Sequence, residues 1–108
     1  MSIELIRNQI FKDFGVLLPI SGGIGNSIEN AIVIEKTDVP FHTAVWVSYT
    51  YLDCIFNGRN VTYEIIGQAL LGRNGKKIDK ISCITKELTE TQIITQTENY
   101  YFDITQFW

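Results

Sequence analysis

Histidine and cysteine are scarce in this sequence: His42 is the only histidine, and Cys54 and Cys83 are the only cysteines among 108 residues. A zinc site in a protein is built mainly from clustered cysteine and histidine ligands. These three residues form no such cluster, and a lone histidine between Phe41 and Thr43 has no nucleophile linked to it in sequence. We therefore expect neither a metal nor another cofactor, and we interpret His42 as a surface residue or one at the entry of a strand.

The sequence also lacks an excess of basic residues and any long apolar run. Nine Lys and Arg against 12 Asp and Glu give a net charge of −3, and no basic patch of the kind that binds nucleic acid is visible. No apolar run is long enough to span a bilayer, and residues 1–5 lack the basic and apolar regions of a secretory signal. We expect a cytoplasmic protein with no nucleic-acid partner and no membrane partner.

The composition is that of a folded protein, with 45% hydrophobic and 19% charged residues. A chain of 108 residues is long enough to bury one hydrophobic core. We predict a single α+β domain over residues 1–108.

The stretch from Ala44 to Ile84 gives the clearest prediction of secondary structure, because it contains two turn signals, Asn57-Gly58 and Asn74-Gly75. An Asn-Gly pair between apolar, β-branched runs is a strong hairpin signal. We predict a three-stranded meander whose first strand is Ala44–Phe56. The alternative is a helix, since Val45, Tyr49, Leu52 and Phe56 also fit a helical stripe, but the many β-branched and aromatic residues favour a strand.

The remaining segments are predicted to pack on or beside this meander. Residues 2–14 show helical periodicity, with Ser2 as N-cap and Gly15 as the residue that ends the helix. Three further runs are predicted as strands: Ala31–Ile34, Gln92–Thr95 and Tyr100–Thr105. The predicted fold class is α+β, an N-terminal helix packed on an antiparallel, mostly meander β-sheet of about five to six strands.

The predicted register keeps the two cysteines apart. Cys54 would face Tyr63 across the first turn, and Cys83 would face Ile66 across the second. The two thiols would then lie two strands apart, roughly 9–10 Å, which is too far for a disulfide. We expect two buried, reduced thiols.

Both faces of the predicted meander are apolar, so something must cover the face that the first helix leaves free. On that face Tyr49 and Tyr51 are the predicted partner-binding anchors, because tyrosine combines apolar area with a polar hydroxyl. Asp53 and Glu64, predicted to lie nearly opposite each other, would supply an acidic rim. A carboxylate pair also occurs in glycoside hydrolases, but solvated carboxylates near a turn are the favoured interpretation.

The glycine-rich loop Ser21–Ser27 lacks the features of a phosphate-binding loop. It contains no lysine, and a strand rather than a helix is predicted to follow it. We interpret it as a connection, although whether it binds anything stays open.

No catalytic constellation is visible, so the sequence does not favour an enzyme. We expect a small cytoplasmic protein-binding module, in concrete form a bacterial immunity or inhibitor protein whose acidic charge suits a basic partner. One alternative is a small-ligand-binding protein or enzyme with an aromatic-lined pocket between helix and sheet. Another is a structural homo-oligomer. The partner is accordingly another protein or a second copy of the chain.

Overall fold

The computed structural model describes all residues from Met1 to Trp108. Helix α1 spans Ile3–Phe14, as predicted. Ser2 Oγ accepts a hydrogen bond from the Leu5 N–H at 3.3 Å, and Gly15 takes the left-handed conformation (φ 72°) that ends the helix. Ile3 and Ile10 are buried, so the apolar stripe of the helix faces the core.

Helix α2 spans Ala44–Gly58, where the sequence predicted a strand and a turn. Thr43 is its N-cap, and Thr43 Oγ1 accepts from the Trp46 N–H at 3.1 Å. Its buried residues Val47, Tyr51 and Leu52 follow a helical spacing, and burying them outweighs the strand preference of its β-branched and aromatic residues. The predicted turn at Asn57-Gly58 is wrong, because both residues belong to the last turn of α2.

Five strands form one mixed sheet in the order β1-β2-β5-β4-β3. The strands are β1 (Ile20–Gly22), β2 (Ile32–Ile34), β3 (Thr62–Arg73), β4 (Lys76–Leu88) and β5 (Ile93–Asp103), and a short 3₁₀ helix, Thr105–Phe107, follows them. All pairings are antiparallel except that of β2 with β5, which is parallel. The α+β class with a mostly antiparallel sheet is confirmed. The five- to six-stranded meander is only partly correct, since just β3, β4 and β5 form a meander.

The second predicted turn is confirmed. Asn74 and Gly75 form a two-residue connection between the paired residues Arg73 and Lys76. Both turn residues have positive φ, 53° and 77°, as such hairpin turns require. By contrast, the two strands predicted after residue 91 are one continuous strand, β5, because residues 93–103 pair with β4 without interruption.

Both helices share one hydrophobic core with the inner face of the sheet, which carries the buried residues Ile81 and Cys83. The outer face of β3, β4 and β5 is mostly polar, which corrects the predicted pair of apolar faces. That prediction failed because α2 was counted as a strand. The outward positions include Thr62, Glu64, Lys80, Ser82, Lys86, Thr95, Thr97 and Asn99.

The cysteines are both free and both buried, as expected, but the geometry differs from the predicted one. Cys54 lies on α2, not on a strand. Cys83 pairs with Ile65 instead of Ile66, because a bulge leaves Ile66 as an extra residue in β3.

The glycine-rich stretch Ser21–Ser27 was predicted as a connection, but its first two residues, Ser21 and Gly22, belong to strand β1, which the sequence did not predict. The rest of the stretch leads from β1 towards β2, and its glycines have a steric reason. A Cβ on Gly23 would lie 2.2 Å from the Asn30 carbonyl oxygen. Gly25 has φ 82°, and its carbonyl accepts a hydrogen bond from the Tyr101 N–H at 3.0 Å. The loop therefore packs against its own return segment and against β5.

Candidate protein-binding surface

Strand β3 forms one free edge of the sheet and is 12 residues long. It pairs only with β4, so one side of its backbone has no strand partner. An edge strand offers unpaired N–H and C=O groups to any other extended chain. Two large apolar side chains on this strand are half exposed, Ile66 at 51% and Leu70 at 50%.

One face of helix α2 continues this surface. Val45, Tyr49 and Asp53 follow one another at intervals of four residues, and all three are exposed. The Tyr49 hydroxyl donates to Gln68 Oε1 of β3 at 3.0 Å, which joins the helix face to the strand. We call Val45, Tyr49, Ile66 and Leu70 the α2–β3 surface.

Tyr51 does not belong to this surface. It is 2% exposed, and its ring lies edge-on to Phe102 and Tyr100, with centroids at 5.8 and 6.4 Å. Burial raises the pKa of its phenol to about 12. The prediction that Tyr49 and Tyr51 share a face is wrong, because residues two apart share a face in a strand but not in a helix.

Asp53 and Glu64 are also separated. Asp53 accepts a short hydrogen bond from the Tyr63 hydroxyl on the inner face of β3. Burial, followed by that contact, raises the pKa of Tyr63. Glu64 pairs with Ile84 and points to the outer face, so the predicted carboxylate pair does not form.

Ile66 and Leu70 are exposed on β3 but were not among the residues predicted to bind a partner. The helical spacing of Val45, Tyr49 and Asp53 was the signal that could have found the helix half of this surface.

A polar network ties the end of α2 to β5. Arg59 makes two hydrogen bonds to Glu98, at 2.7 and 2.8 Å, and Glu98 also accepts from Tyr100 at 2.9 Å and Thr85 at 3.3 Å. The Arg59 contact lowers the pKa of Glu98, while burial and the Glu98 contact raise that of Tyr100. The carboxylate is thus held ionised with both oxygens occupied, which suits a structural tie better than proton transfer.

An apolar groove of about 460 Å³ runs between α1 and α2. Its lining includes Leu5, Ile6, Phe14 and Ile55. On the α2 side it also includes the small residues Cys54 and Gly58, which leave space in the groove. Its polar lining is Gln9 and Asp13, which are hydrogen-bonded to each other at 2.9 Å. The volume falls in the range of small-molecule sites, but the groove lies between helices and has only one aromatic residue.

His42 takes part in packing at the start of α2. Its Nδ1 lies 2.8 Å from Thr37 Oγ1, and its ring stacks on Trp46 with centroids 5.6 Å apart. No group of three or more His, Cys, Asp or Glu residues is arranged to hold a metal ion. Neither helix has the length and apolar character that a membrane crossing requires.

Two features of the molecule are thus open to a binding partner: the α2–β3 surface and the groove between the helices. Of the four residues predicted to bind a partner, only Tyr49 belongs to the α2–β3 surface. Asp53 is exposed beside it, one turn further along α2, Tyr51 is in the core, and Glu64 lies on the outer face of β3. Comparison of the chain with protein-family models, with curated proteins and with solved structures finds no match.

Proposed function

We propose that this chain is a small protein-binding module that uses the α2–β3 surface. The observation that carries the proposal is the combination of a free 12-residue strand edge with exposed apolar side chains beside it. Backbone hydrogen bonds at a strand edge supply affinity, and neighbouring side chains supply specificity, as in other cases of strand addition. Exposed Val45 and Tyr49 extend the apolar area onto the helix.

If the module is an immunity or inhibitor protein, its acidic charge favours a partner of opposite charge. The chain carries a net charge of −3, and Asp53 and Glu64 stand on either side of the β3 strand. Complementary charge speeds association and makes it sensitive to salt. A heterologous partner of this module is accordingly a basic protein with an exposed strand or extended segment.

A capture experiment tests the proposal. The immobilised chain is compared with Leu70→Lys, which places a charge on the proposed surface, and with Ile93→Lys as a control. Ile93 is 65% exposed but lies on β5, away from this surface. We expect the wild type and Ile93→Lys to retain the same proteins, including the chain itself, and Leu70→Lys to lose them. Retention of those proteins by Leu70→Lys would contradict the proposal.

A second candidate function is binding of a small apolar molecule in the groove between α1 and α2. Its supporting observation is the 460 Å³ volume with a mostly hydrophobic lining. A Cβ added at Gly58 meets no atom within 4 Å, so Gly58→Leu fills the groove without a backbone clash. The fluorescent apolar probe ANS should bind the wild type and the exposed control Asn57→Leu, but bind Gly58→Leu at least about tenfold more weakly. Equal binding by all three chains would exclude the groove as the site.

A further inference from the structure

We propose that the partner of the α2–β3 surface is a second copy of this chain, with the two β3 strands paired antiparallel about a two-fold axis at Ala69. This inference rests on the proposed function and identifies the partner. Such a contact uses the same surface of both subunits, so it closes on itself and leaves no further β3 edge exposed.

The axis position follows from which face each residue of β3 occupies. A two-fold axis perpendicular to the sheet sets residues of the same face opposite each other. With Ala69 on the axis, Gln68 meets Leu70 of the second copy on the inner face, and Gly67 meets Leu71 on the outer face. These face assignments come from the pairing with β4, where Gln68 and Leu70 pair with the inward Ile81 and Asp79.

The bulge at Ile66 determines which residues face each other at the two ends of the contact. In the β3–β4 ladder the register slips by one residue there, since Gly67 pairs with Ser82 but Ile65 pairs with Cys83. The same slip in the dimer sets Glu64 opposite Arg73 of the second copy, and both residues point outward. Two symmetric pairs of opposite charge therefore frame the contact, and opposite charges directly across two strands are stabilising.

Arg73 is free enough to make this contact. It now lies 2.8 Å from Glu29, but the two side chains are 51% and 62% exposed. An exposed pair of this kind contributes little to stability. Arginine also has five N–H donors, so Arg73 can keep Glu29 while it binds Glu64 of the second copy.

The side chains near the axis suit close approach of two backbones. Ala69 is small and exposed, Gly67 is two residues before it on the same face, and the next residue, Leu70, is half exposed. On the inner side, Leu70 of one copy would reach Gln68 of the other, the residue that Tyr49 already contacts. Pairing would thus cover Leu70 and the Tyr49–Gln68 contact, while the bulge and the terminal charges disfavour other registers.

A disulfide at the axis tests the geometry directly. Opposed residues in an antiparallel pair have Cα atoms about 4.5–5.5 Å apart, within the range for a disulfide. The native cysteines are buried, so they do not compete. Under mild oxidation Ala69→Cys should form disulfide-linked dimers, whereas Thr97→Cys, on the exposed outer face of β5, should stay monomeric.

Charge exchange tests the register independently. Glu64→Arg and Arg73→Glu should each weaken self-association roughly tenfold in analytical ultracentrifugation, because each places like charges opposite each other. The double variant should recover the wild-type dissociation constant within about threefold. Glu87→Arg is the matched control: Glu87 is exposed and lies on β4, away from the contact, so it should leave association unchanged.

A chain that stays monomeric at about 100 µM and gives no Ala69→Cys dimer would overturn the homodimer. If Leu70→Lys still abolished capture of other proteins, the proposed function would stand and only the identity of the partner would be wrong. A dimer that tolerates Glu64→Arg, or that the double variant fails to restore, would contradict the register.

Discussion

The Tyr49 hydroxyl donates a hydrogen bond to Gln68 Oε1, 3.0 Å away, and so connects the exposed face of α2 to the edge strand β3. Gln68 in turn donates from Nε2 to Asp79 Oδ2 at 2.7 Å on the neighbouring strand. The side chains form one chain of hydrogen bonds from helix to sheet. Because Gln68 stands opposite Leu70 of the second copy in the proposed dimer, this chain orients a residue of the contact.

Asp79 should be a source of instability at neutral pH. Burial raises its pKa, and the Gln68 hydrogen bond only partly offsets that effect. A carboxyl whose pKa is raised by folding favours the folded state below its unfolded pKa, and that contribution is lost as the pH rises through the folded pKa. Asp79→Asn should therefore raise the free energy of unfolding at about pH 7 and change it little at about pH 3, measured by urea denaturation. A loss of stability at neutral pH would show that the charged form is favoured instead.

Glu98 should behave in the opposite way. The Arg59 hydrogen bonds lower its pKa, so its contribution is present above the unfolded value of about 4.3 and is lost as the pH falls through the folded pKa. Glu98→Gln should cost about 1 kcal/mol of unfolding free energy at neutral pH, and the difference from wild type should shrink in acid. Glu87→Gln, an exposed residue of β4, serves as the control and should show neither effect.

The parts of the fold that the sequence predicted correctly are those specified by local chemistry. Ser2 and Gly15 cap the two ends of α1 through hydrogen bonds to residues a few positions away in the sequence. Asn74-Gly75 specifies a hairpin because both residues readily adopt positive φ. The parallel pairing of β2 with β5 is different, because Ile32 meets Phe102 only after the whole chain has folded. No local signal predicts a contact at that separation.

The misassigned helix α2 explains most of the errors at the site. Residues such as Val47 and Tyr51 prefer strands weakly, and their burial against β5 and the core decides their structure. Reading α2 as a strand put Tyr51 beside Tyr49 and Asp53 beside Glu64. Only the exposed positions Tyr49 and Asp53 remain together once the helical spacing is applied.

The glycine-rich loop yields a stability prediction. Gly23→Ala would place a methyl group 2.2 Å from the Asn30 carbonyl oxygen, a backbone atom. We expect a loss of about 1–3 kcal/mol, the usual cost of overpacking. Gly72→Ala is the control, since a Cβ there meets nothing within 4 Å and the position should change stability by less than about 0.5 kcal/mol. Equal urea midpoints for the two variants would contradict the prediction, because they would show that the loop accommodates the added methyl group without loss of stability.

Variants of Tyr51 test whether this residue stabilises the core or binds a partner. The sequence predicted it as a partner-binding anchor, but the structure buries it. Its ring packs against Tyr100 and Phe102 at 2% exposure. Tyr51→Ala should cost about 3–5 kcal/mol of unfolding free energy, whereas Tyr51→Phe keeps the ring and should cost less than about 1 kcal/mol. Burial raises the pKa of Tyr51 to about 12, so absorbance titration of Tyr51→Phe at high pH should show one late-ionising tyrosine fewer than the wild type. If Tyr51→Ala kept its stability and lost only association, Tyr51 would instead belong to the binding surface.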